Sequence, residues 1–133
     1  MYGFEIEIAD SIETLIPKVR NALAHEGFGV LFDIDVQSIM KNKVGVDSLP
    51  YHILGACNPN YAHRALGIDA NIGLLLPCNV VVRETAPGKS IVAFMDPQAV
   101  LTLVEHHEIA AVAAQVRAAL IRVRDSLEKS DLR

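Results

Sequence analysis

Apolar and polar positions alternate at the start of the chain. Tyr2, Phe4, Ile6 and Ile8 are separated by Gly3, Glu5 and Glu7. A period of two predicts a strand with one buried face. The period then lengthens: Ile12, Leu15, Ile16, Val19 and Leu23 recur at three and four, the spacing of one helix face. Asp10 stands at the N-cap position with Glu13 as its capping-box partner. Gly27 supplies the left-handed residue that ends such a helix. Pro17 falls inside the pattern, which predicts a kink or a helix beginning near Thr14. Alternation returns in Phe28, Val30, Phe32 and Ile34 as a second strand. Strand, helix and strand in this order predict a parallel pair joined by a right-handed crossover.

Val36 to Lys43 reads as a short helix, and Gly45 to Pro50 as a loop. Tyr51 to Cys57 is a third strand. Asn58-Pro59 then opens a helix, with Asn accepting at the N-cap and Pro at the first helical position. This helix stops near Gly67, and Ile68 to Gly73 makes a turn or short helical stretch. Leu74 to Glu84 is a fourth strand, in which Pro77 implies an edge, a bulge or a late start. Ala86-Pro87-Gly88 is a turn, so Lys89 to Met95 returns as the fifth strand of a hairpin. Asp96-Pro97 starts the last helical segment, which runs to about Lys129. Ile109, Val112, Val116, Leu120, Val123 and Leu127 form its apolar stripe, and His106-His107 marks a break before it. The order predicts an α+β fold over 1–133 as a single domain. It is a mixed five-stranded sheet with a βαβ start, a strand hairpin, a long C-terminal helix, and helices largely on one face.

Composition narrows the function classes. The 133 residues suit one domain, and the apolar fraction of 51% against 21% charged residues is globular. A net charge of −4 argues against general affinity for nucleic acid or anionic membranes. No stretch approaches a membrane-spanning length, and MYGFEIEIAD lacks the features of a signal peptide. A cytoplasmic location is expected, where Cys57 and Cys78 would stay as free thiols.

Both cysteines precede asparagine. Cys57 ends a strand just before a helix start, where N–H groups and the helix dipole favour a thiolate. The plainer reading of Cys57 is a small buried hydrophobe at a strand end. Gly55 is expected to let the backbone approach closely at this corner. Cys78 shares parity with Leu74, Leu76, Val80 and Val82 and reads as core. A soft-metal site of Cys57, Cys78 and His63 is conceivable, although the cysteine spacing is not that of a zinc knuckle. Asp33 and Asp35 share the strand face opposite Phe32 and Ile34, where solvent is the simpler reading. No nucleophile elbow, GxGxxG, Walker loop or HExxH is present, so no cofactor is indicated.

GFGVLFDIDV, YHILGACNPNYAHRAL, IGLLLPCNVVV and MDP, in this order and spacing, resemble the bacterial and archaeal domain-of-unknown-function family 302. The resemblance implies a compact α+β domain and a homodimer, with no established activity. It places both Cys-Asn dipeptides in family blocks, Ile53 to Pro59 and Leu75 to Val82, and so implies that they line one pocket. The leading expectation is a homodimeric binding or sensing domain for a small molecule or soft metal. Cys57, Asn58, His63, Cys78 and Asn79 are its candidate ligand-binding residues. One alternative is a thiol-dependent enzyme with Cys57 as nucleophile and His52 or His63 as base. Another is a structural or interaction module with inert cysteines.

Overall fold

The computed structural model describes residues 1–131, and the last two positions of the expected 1–133 domain lie outside them. Five strands form one sheet: β1 (Gly3–Ile8), β2 (Gly29–Asp35), β3 (Tyr51–Cys57), β4 (Cys78–Ala86) and β5 (Lys89–Met95). Their spatial order is β1-β5-β4-β3-β2, and every neighbouring pair is antiparallel. The expected mixed sheet is therefore corrected. β1 and β2 do run in the same direction, but they occupy opposite edges with three strands between them. The helix α1 (Ile12–His25) carries the chain across the whole sheet instead of between adjacent strands.

α1 and the long α5 (His107–Asp131) cover one face. Leu15, Val19 and Leu23 of α1 meet Val80, Val82, Val92 and Phe94 of the central strands, with Leu120 and Val123 of α5 completing the layer. These side chains are at most 1% exposed, so the periodicity read from the sequence is the packing code of this face. The cap of α1 differs from expectation. Ser11, not Asp10, is the N-cap and accepts from the Thr14 N–H, while Asp10 pairs with Lys18 at 2.8 Å. The helix runs unbroken through Pro17, and Gly27 follows it at φ 84°. Ser90, the buried polar side chain of this face, donates to the Asp10 carbonyl at 2.7 Å and ties β5 to the β1–α1 turn.

β2 departs from plain alternation. A bulge lies between Val30 and Phe32, where the register against β3 shifts. An inserted residue reverses the side-chain parity beyond it. Val30 still packs against the helix-side core, but Phe32 pairs with Gly55 and Ile34 with Ile53 on the opposite, uncovered face. A Cβ on Gly55 would lie 2.4 Å from the Phe32 ring, so Gly55 is where that ring rests. The close approach expected at Gly55 is real, but its partner is Phe32.

The helix α2 (Val36–Val44) is capped by Asp35, which accepts from the Ser38 N–H, and it closes at Gly45 with φ 72°. α3 (Pro59–Ile68) and a 3₁₀ segment (Ala70–Leu75) lead back to the sheet. β4 begins only at Cys78, so Pro77 precedes the strand. The short α4 (Pro97–Leu101) is capped by Asp96, which accepts from Gln98 N–H and also holds Arg117 of α5 at 3.1 Å. Among the described residues no helix is long and apolar enough to cross a membrane.

Candidate binding cavity

The helix-covered face is not filled at one end. β3 finishes at Cys57, the chain turns through Asn58 into α3, and β4 starts beside it at Cys78. α3 and the 3₁₀ segment stand off from the sheet here, with Leu101 and Val116 closing the back. The result is a cavity of about 240 Å³ lined by Phe28, Tyr61, Leu66, Leu76 and both cysteines. Its walls are almost wholly aliphatic and aromatic. Such a volume exceeds the roughly 150 Å³ cavity that holds benzene and falls just below the usual range for drug-sized ligands.

The two thiols share this cavity because Ala56 and Cys78 are register partners, so Cys57 follows directly beyond the pair. Cys78 is buried and Cys57 is half-buried. Burial pushes the Cys57 thiol up from its ordinary value. Burial also pushes Cys78 up to about 12, with a smaller contribution from the neighbouring Cys57 charge. This direction runs against the activation of Cys57 expected from the α3 N-terminus. Removing the thiol from water favours its neutral form and so opposes the helix dipole, whose effect falls off within one turn. Burial thus favours the neutral thiol, soft and weakly polar, at both positions.

Asn58 occupies the N-cap position but makes no side-chain cap bond. Its Nδ2 donates instead to the Glu26 carbonyl at 3.3 Å, and the amide lies against Gly27. It pins the end of α1 to the start of α3 and so fixes one wall. His63 is exposed on α3 and does not line the cavity. Asn79 is exposed on the other face of the sheet, beside a different groove. The five candidate residues thus separate into Cys57, Asn58 and Cys78 at the cavity, and His63 and Asn79 away from it. Among the described residues no group of three or more His, Cys, Asp or Glu side chains is placed to hold a metal ion.

The family model described as "Domain of unknown function DUF302" matches residues 4–127. The chain belongs to the DUF302 family. A solved relative is the crystal structure of the uncharacterized conserved protein DUF302 from Bacillus stearothermophilus. It is 28% identical, superposes with a TM-score of 0.86, and is matched over 94% of this chain and 97% of that one. No curated protein matches the sequence.

One polar cluster of this DUF302 chain escaped the sequence reading. His52 Nδ1 lies 2.6 Å from Asp33 Oδ1, and Arg20 of α1 reaches the other carboxylate oxygen at 3.5 Å. Asp33 and His52 lie on the helix side of the sheet, because the bulge turns Asp33 and Asp35 that way. The parity of Asp33 and Asp35 was visible in the sequence, but their partner was not, since β2 was expected to pair in parallel with β1. His52 sits five residues from Cys57, about 17 Å along an extended strand. It is committed to Asp33 and offers the Cys57 thiol no base.

Proposed function

We propose that this DUF302 domain is a homodimeric binding or sensing domain whose cavity takes a small, mainly apolar molecule. The observation that carries the reading is the cavity between β3, α3 and α5, with Cys57 and Cys78 in its wall. Apolar lining rewards transfer of an alkyl chain or ring from water at roughly 25 cal/mol per Å² buried. Neutral thiols favour the same class of ligand, because sulfur is polarizable and costs little to desolvate when protonated. Asn58 and Tyr61 are the polar groups that would orient such a molecule. The thiol-enzyme alternative has less behind it, since burial pushes the Cys57 thiol up and neither His52 nor His63 lines the cavity.

The test uses small apolar probes, hexanol and indole, with thermal unfolding and Cys57 alkylation as readouts. Both probes are expected to raise Tm and to slow alkylation of Cys57. Ala62→Phe, which fills the cavity from α3, is expected to abolish the protection. Alkylation of Cys57 at an unchanged rate with saturating probe would sink the reading.

A further inference from the structure

We propose that two copies of this chain pair by seating α2 of each in the groove on the other's uncovered sheet face. This rests on the homodimer part of the reading above and specifies its surface.

α2 has no buried residue, although Ile39, Met40 and Val44 recur along it at near-helical spacing. Val46 and Leu49 continue the exposed apolar run beyond its end. Of the thirteen large hydrophobic side chains exposed among the described residues, eight fall between 31 and 49. A nine-residue helix is too short to be stable in water without tertiary packing, and β3 is its main packing partner. A run of exposed apolar side chains along one helix and the loop after it is the kind of surface that marks an interaction site.

The same molecule carries a complementary groove. It is about 510 Å³, on the uncovered face near the start of β1, with Tyr2, Val81, Ala93 and Met95 in its walls and Glu5 at its rim. α2 leaves the sheet where β2 ends, at Asp35, whereas the groove lies where β1 begins, at Gly3. β1 and β2 run in the same direction on opposite edges, so these are diagonally opposite corners of the sheet. A two-fold axis between two facing sheets, along the other diagonal from Ile8 to Gly29, carries α2 of one copy onto the groove of its partner. The same operation returns the partner's α2 to the first copy, which closes the dimer. The strands then cross near a right angle, one of the two common sheet packings.

Charge agrees with this placement. The last turn of α2 carries Lys41 and Lys43, and Glu5 and Glu7 share the uncovered face of β1. Lys41 already holds Asp47 of its own loop at 2.8 Å, so Lys43 is the residue assigned to the partner's Glu5. Area agrees as well. Five strands about 4.8 Å apart and six residues of about 3.4 Å give a face of roughly 500 Å². Stable pairs remove about 800 Å² per partner, so the sheet alone falls short and α2 supplies the difference.

Light scattering coupled to size exclusion tests this on the full chain. The wild type is expected at the mass of two chains. Met40→Glu and Val44→Glu, at positions already exposed in the single chain, should keep the native circular dichroism and weaken association at least roughly tenfold. Lys43→Glu should weaken it less, and adding Glu5→Lys should restore it. A wild type that is monomeric at all practical concentrations overturns both the homodimer and this interface. A dimer indifferent to both α2 variants leaves the homodimer standing and overturns the interface, as does a charge swap that fails to restore pairing.

Discussion

At the scale of single residues, two positions carry most of what is new. Cys78 is protonated well above the usual thiol range because the folded chain removes it from water. The sign of the consequence follows from linkage. Between about 9.0 and about 12 the native thiol keeps a proton that the unfolded thiol loses. Stability contributed by the buried neutral thiol is therefore fully present below 9.0 and declines as pH rises through that window, at up to about 1.4 kcal/mol per pH unit. Urea unfolding at a series of alkaline pH values is expected to show this decline, and Cys78→Ala is expected to flatten it. Gly55 is the second position. Because the Phe32 ring lies where its Cβ would be, Gly55→Ala should cost about 1–3 kcal/mol as an overpacking defect. Replacing Phe32 by Leu in the same chain should return part of that loss in chemical denaturation. The sequence showed that Cys57 and Cys78 were chemically interesting but could not rank burial against the helix dipole. That ranking depends on α3 and α5 closing over the strand end.

At the scale of elements, legibility tracked local determinants. β3 and β5 carry their full ranges in the sequence, since each is a short run ended by an Asn-Pro or Asp-Pro helix start. The apolar stripe of α5 likewise reappears as the core-facing row from Ile109 to Leu127. β2 misled because alternation through Phe28, Val30, Phe32 and Ile34 is unbroken on paper. The bulge at Leu31 is enforced by pairing with β3, and a single sequence carries no mark of it. The bulge also creates the Asp33–His52 contact that links β2 to β3, with Arg20 adding α1. Asp33→Asn should therefore loosen this edge locally. Amide exchange in β2 is expected to accelerate severalfold while β4 and β5 stay protected. Equal acceleration in all strands would show that the cluster stabilises the fold globally instead.

At the scale of the whole molecule, the class of fold was readable and the strand pairing was not. Helical and extended periods depend on neighbours a few residues away, whereas strand order depends on partners far along the chain. One face of the sheet is packed under α1 and α5, and the other face is uncovered. Hydrogen exchange should follow this asymmetry: slowest in β4, β5 and the middle of α5, and fastest in α2. Exchange in α2 that slows as protein concentration rises would accompany pairing of two chains. The placement of β1 at an edge has a further consequence, for the order in which the protein is made. β1 is synthesised first, but its one neighbour is β5, which leaves the ribosome more than eighty residues later. Until then α1 has only part of the surface it must cover, and the oldest strand waits for the youngest. A nascent chain halted at residue 88 should therefore remain sensitive to protease along β1 and α1. Release of the rest of the chain, which frees β5 and then the core-covering α5, should convert the whole domain to resistance.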